Sequence, residues 1–70
     1  MNKTSAVLRL YDEFRQGRTV CIDECCNSYG ISVPTFRRYL ALLREYFMEC
    51  HARDIIYDPM KMSYHISREP

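Results

Sequence analysis

The segment Tyr29-Gly30-Ile31-Ser32-Val33-Pro34-Thr35-Phe36-Arg37-Arg38-Tyr39-Leu40 constrains this chain more than any other stretch. Gly30 takes a positive φ at little steric cost, so it ends a helix and turns the chain. Ser32 suits the N-cap of the next helix, its hydroxyl accepting a bond from the Thr35 backbone N–H. Pro34 falls in the first turn, where a missing N–H costs little. Two helices joined by a tight turn are therefore predicted, the second opening with Thr35, Arg37 and Arg38.

The residues before this segment supply a helix from Thr4 to Gln16. Val7, Leu10, Tyr11 and Phe14 recur at helical spacing as one apolar stripe, with Arg9, Asp12, Glu13 and Arg15 on the wet side. Gly17 fits the helix end. Arg18 to Cys21 is short and β-prone, and is expected to pair with a later hairpin. The second helix is predicted over Ile22 to Tyr29. Asp23 and Glu24 sit in its first turn, where negative charge suits the helix dipole. Ile22, Cys25, Cys26 and Tyr29 form its buried face.

The third helix is predicted to run to about Cys50. Phe36, Leu40, Leu43 and Phe47 give a core stripe at spacings of four, three and four. Arg37, Arg38, Ala41, Arg44 and Glu45 lie away from that stripe. Tyr39, Leu42 and Tyr46 widen the apolar surface to one side, a flank that packs under neighbouring elements or meets another protein. The tail reads as a β-hairpin. Asp54 to Tyr57 and Met62 to Ile66 flank Asp58-Pro59-Met60-Lys61, whose Asp and Pro suit a type I turn. By alternation Met62, Tyr64 and Ile66 share one face, with Ser63 and His65 on the other.

Three helices followed by a hairpin make a mostly α fold of the winged helix-turn-helix type, over residues 1–66. Residues 67–70 read as a tail or the start of a linker. In such a fold the second helix of the turn motif enters the DNA major groove.

Composition narrows the alternatives. The chain has 70 residues, 47% hydrophobic and 27% charged, which suits one small globular domain. A net charge of +1 argues only weakly for nucleic acid, so the placement of charge has to carry that case. No apolar run approaches the ~20 residues of a membrane span, and the N-terminus lacks a signal-peptide core, so the expected location is the cytoplasm. Cys25 and Cys26 are adjacent, and neighbours on a helix point ~100° apart, which suits neither one metal nor one disulfide. Cys21, Cys25, Cys26 and Cys50 are read as reduced packing thiols, and His51 and His65 as surface residues. No metal or other cofactor is expected. Catalysis is not expected either. Cys50-His51 has no pocket-sized scaffold, and two glycines, Gly17 and Gly30, build no phosphate-cradling loop.

The chain resembles the N-terminal domain of DeoR-type regulators and of WYL-domain transcription factors. The resemblance is carried by Arg9-Leu10-Tyr11 and by Cys25-Cys26-Asn27-Ser28-Tyr29-Gly30-Ile31-Ser32, against the family's Leu-Ala-x-x-Phe-Gly-Val-Ser. Thr35-Phe36-Arg37-Arg38-Tyr39-Leu40 is similar to Thr-Ile-Arg-Arg-Asp-Leu. Ile56-Tyr57-Asp58 through Tyr64-His65-Ile66 is similar to the family's wing. Cys25 and Cys26 stand where the family has Leu and Ala, Tyr39 where it has Asp, and Ser63 where it has a wing Gly. The resemblance implies a transcriptional regulator that binds double-stranded DNA, with this chain as the N-terminal piece of a longer protein that is a homodimer.

Each candidate residue has a chemical reason. Ser32, Thr35 and the N–H groups opening the third helix suit phosphate, because the helix dipole favours anions there. Arg38 points away from Phe36 and is assigned to bases, where a bidentate contact to guanine discriminates by ~1–3 kcal/mol. Arg37 and Arg44 share another side and are assigned to phosphates. Val33 and Pro34 are placed to meet a thymine methyl, and Lys61 in the wing a neighbouring phosphate. The competing expectation is a protein-interaction module, because winged helices are reused for docking. A thiol switch, in which oxidation of Cys25 or Cys26 disturbs the core under the third helix, is the third.

Overall fold

The computed structural model describes residues 2–67. Helix α1 spans Lys3–Arg15, strand β1 Val20–Cys21, α2 Ile22–Tyr29, α3 Val33–His51, β2 Ile55–Asp58 and β3 Ser63–Ile66. Three helices followed by an antiparallel hairpin form the predicted winged helix-turn-helix. The expected pairing of the early β-prone segment is present, since β1 adds to the hairpin in a sheet ordered β1-β3-β2.

Local chemistry sets the helix limits. The Asn2 side chain accepts the Ser5 N–H at 2.8 Å and starts α1 one residue before the predicted Thr4. Gly17 closes it at φ 78°, with Arg18 N–H on the Glu13 carbonyl and Gly17 N–H on the Phe14 carbonyl. That is a Schellman closure, which satisfies carbonyls the helix leaves open. Gly30, at φ 66°, ends α2 with its own N–H and that of Ile31 both on the Cys26 carbonyl. Ala52 ends α3 at φ 53°, a left-handed conformation without the glycine that usually takes it.

The core lies where the three helices meet the sheet. Leu10 and Phe14 of α1, Phe36, Leu40, Leu43 and Phe47 of α3, and Ile55 and Ile66 of the sheet are all buried. Aromatic rings join the layers: Tyr11 stacks on Phe47 with centroids 5.4 Å apart, and Tyr64 lies 6.0 Å from Phe36. The first edge fixes α1 on α3, and the second holds the wing against the start of α3.

The hairpin departs from the expected alternation. Asp58 Oδ1 accepts the Met60 N–H at 2.9 Å and the Lys61 N–H at 3.4 Å, so the turn closes on an aspartate side chain. Met62 then takes φ 51° and stays in the turn, exposed, rather than joining the face of Tyr64 and Ile66. A left-handed residue at the loop end resets the pleat, so alternation starts at Ser63. Ser63 is buried because β3 is the central strand, with Cys21 on one side and Asp58 on the other. Its Oγ has no protein partner among the described residues.

One further expectation, that of four packing thiols, is corrected, and two details are added. Tyr39 is buried, 8% exposed, so this part of the flank takes the first of its two expected fates and packs into the core. Only Cys25 is a fully packed thiol: Cys21 and Cys26 are half-buried and Cys50 is exposed. The fold also reaches one residue past 66. Ser67 N–H donates to the Asp54 carbonyl at 2.7 Å, and Ser67 Oγ accepts the Asp54 N–H at 2.9 Å. The rest of the predicted tail, residues 68–70, lies outside the described residues.

Candidate nucleic-acid interface

The turn between α2 and α3 is Gly30-Ile31-Ser32. Ser32 Oγ accepts the Thr35 N–H at 3.3 Å, as the cap requires, and donates to Thr35 Oγ1 at 3.0 Å. Phe36 N–H is already bonded to the Ser32 carbonyl, and Pro34 has no N–H. Among the described residues this leaves the Val33 N–H as the open donor of the first turn. The helix start is therefore a narrower anion site than its dipole alone implies. Phosphate contact at this end falls mainly to side-chain cations.

Those cations are Arg37 and Arg38. Phe36 is fully buried, and the two arginines that follow it are exposed. Neither has an ion pair or hydrogen bond among the described residues. The surrounding sequence leaves their charge uncompensated: between Glu24 and Glu45 the chain carries Arg37, Arg38 and Arg44 and no acidic residue. The overall charge of +1 hides this, because the acids are concentrated elsewhere. An acid-free stretch is a signal the sequence carried in plain view.

The candidate residues do not form one group. Ser32, Val33, Pro34, Thr35, Arg37 and Arg38 share the first two turns of α3. Arg44 has been given other work. Its Nε donates to Asp54 Oδ1 at 3.0 Å and its Nη2 to the Ile55 carbonyl at 2.7 Å. That guanidinium braces the entry to the wing, which takes it from the set assigned to phosphates. Lys61 stands exposed in the wing turn, its N–H on Asp58, between Met60 and Met62, which are exposed as well.

Beneath α2 lies a small cleft lined by Arg9, Glu13, Glu24, Cys25 and Tyr29, among others. Arg9 sits over the Tyr29 ring, 5.3 Å from its centroid, and ties α1 to the turn motif. Burial pushes the Cys25 thiol up to about 11, with Cys26 adding to the rise, and pushes the Tyr29 hydroxyl up to about 12. Burial also raises the Cys26 thiol. Burial holds both thiols in the neutral form, which lowers their nucleophilicity. Among the described residues no group of three His, Cys, Asp or Glu side chains could hold a metal ion. No described helix is long and apolar enough to cross a membrane.

No protein-family model, curated protein or solved structure matches this chain.

Proposed function

We propose that this domain binds double-stranded DNA as a transcriptional regulator, with the N-terminal half of α3 in the major groove. The observation that carries the reading is the exposed, unpaired Arg37-Arg38 at the start of a capped helix, inside a stretch without acids. Arg38 points away from the core and reads a base edge. Arg37 and the Val33 N–H take phosphates, and Lys61 takes a phosphate from the wing. Val33, Pro34 and the Ser32-Thr35 cap shape the end that enters the groove. The resemblance to DeoR-type and WYL-domain regulators supports the same reading.

Fluorescence anisotropy against a random-sequence duplex at two salt concentrations tests it. Binding is expected to weaken steeply with salt, because cations that neutralise phosphates release counterions. Arg37→Ala/Arg38→Ala is expected to lose most of that binding while keeping its circular dichroism. Absence of binding at low salt, or binding indifferent to both substitutions, overturns the proposal.

A further inference from the structure

The tip of the wing is apolar and bare. Pro59, Met60, Lys61 and Met62 are all exposed. Met60, 92% exposed, is the barest large apolar side chain among the described residues, and Met62 is 67% exposed. A turn that only closes a hairpin is usually built from Gly, Asn, Asp or Ser. This turn is also well fixed. Asp58 Oδ1 accepts the Met60 and Lys61 N–H groups at 2.9 and 3.4 Å, and Asp58 pairs with Ser63 across the ladder. Pro59 fixes its own φ. Met60 is thus presented on a preformed turn.

The hairpin carries this tip to the end of α3 that bears Arg37 and Arg38. At its base, the Ile55 carbonyl accepts the Arg44 guanidinium at 2.7 Å, level with the middle of α3. Nearer the tip, Tyr64 lies 6.0 Å from Phe36 in the first turns of the same helix. Its cross-strand partner Tyr57 stands 5.0 Å from it. The hairpin therefore runs back along α3 towards the helix N-terminus, and residues 59–62 project beyond Tyr64 at that end. Lys61 puts a positive charge between the two methionines. Asp58, the acid of the turn, is half-buried and uses Oδ1 to hold the turn.

We propose that Met60 is a wedge: it enters the minor groove next to the major groove that holds α3, pushes between two base pairs and kinks the duplex. The proposal rests on the DNA-binding reading above and adds a second determinant of specificity to it. An unbranched thioether is slim, flexible and polarisable, which suits contact with base faces. Apolar wedges of this kind part stacked bases and bend DNA toward the major groove. That bend folds the duplex onto α3 and enlarges the surface the domain covers. Lys61 holds the flanking phosphate, and Met62 lies against the sugars. Unstacking costs least at pyrimidine–purine steps, so the tip selects such a step without a hydrogen bond to its bases. Arg38 reads a base by its edge, and Met60 reads a step by how readily it opens.

Selection of duplexes from a random pool, with the wild-type chain and with Met60→Ala, tests the proposal. The substitution falls at a bare position and is expected to leave circular dichroism unchanged. Wild type is expected to enrich a TA or CA/TG step at a fixed distance from the base read by Arg38, and Met60→Ala to lose that step alone. On the selected duplex, wild type is expected to brighten a fluorescent aminopurine placed at the step and to raise energy transfer between the duplex ends. Met60→Ala is expected to do neither and to bind that duplex about tenfold more weakly. Met60→Leu should keep both signals, whereas Lys61→Ala should weaken all duplexes alike. Binding that needs Arg37 and Arg38 but leaves the duplex straight and stacked, or that is indifferent to Met60→Ala, overturns the wedge alone and leaves the tip to a protein partner. Absence of binding to any duplex overturns the wedge together with the DNA-binding reading.

Discussion

Arg44 and Asp54 are ten residues apart in sequence and 3.0 Å apart in the fold, Nε to Oδ1. The same Asp54 oxygen accepts the Ile55 N–H at 2.8 Å, and Arg44 Nη2 reaches the Ile55 carbonyl at 2.7 Å. One guanidinium and one carboxylate thus fix how the chain leaves α3 and enters β2. The pair is partly exposed, so solvent screens its Coulomb energy and geometry is its main contribution.

Arg44→Ala is expected to cost about 1 kcal/mol of stability, the scale of a lost, partly exposed hydrogen-bonded pair. Arg44→Lys should recover little, because an ammonium cannot span both acceptors as the planar fork does. Urea melts measure both. Neither substitution should change the salt dependence of duplex binding, because this guanidinium already serves the wing.

Arg38→Ala is expected to relax sequence preference at one base position and to cost ~1–3 kcal/mol on a selected site, as loss of a bidentate contact does. Arg37→Ala should weaken all duplexes alike and flatten the salt slope by about one phosphate. Anisotropy on selected and scrambled duplexes separates the two roles. Identical behaviour of the two variants would remove the base-reading assignment.

Phe36→Ala is expected to destabilise the domain by about 3–5 kcal/mol as a truncation of a fully buried ring. Phe36 also meets Tyr64, so the wing should loosen with it. Faster amide exchange in β3, measured against α2, checks the second effect.

Ala52→Gly is expected to stabilise by about 0.5–1 kcal/mol. The left-handed backbone at φ 53° strains an L side chain and costs glycine little, and the gain is partly offset by the greater freedom of glycine in the unfolded chain. A rise in the thermal midpoint is the readout.

Stability should fall on the alkaline side through Cys25. Its thiol ionises near 9.0 when unfolded and near 11 in the fold, where burial disfavours the thiolate. Below pH 9 both states are protonated and the contribution is fully present. Between 9.0 and about 11 the unfolded chain loses its proton first, so stability declines as pH rises. Cys25→Val removes that group and should reduce the slope between urea melts at about pH 8 and about pH 10. Thiol reagents should label exposed Cys50 first and Cys25 only after unfolding.

The turn motif was legible because its determinants are local. Gly30, the Ser32 cap on Thr35 and the spacing of Phe36, Leu40, Leu43 and Phe47 act within a turn or two of helix, and each is found where the pattern put it. The wing was legible as a hairpin, but not its phase. The positive φ of Met62 follows from how the Asp58 turn closes, and no residue preference announces it at a methionine. The exposure of Arg37 and Arg38 beside buried Phe36 was legible for the same local reason. Arg44 was not, because helix position alone shows which side a guanidinium leaves from and not what waits there.

Nearest-neighbour chemistry thus dictated the elements of this protein: caps, glycine turns and helical periodicity need only residues a few positions apart. Tertiary packing decided the surfaces. Whether Tyr39 is core and Leu8 bare depends on where α1 lies against α3, and whether Arg44 faces solvent or Asp54 depends on where β2 begins. Burial and pairing are properties of two segments at once, and their chain separation exceeds the reach of any local pattern.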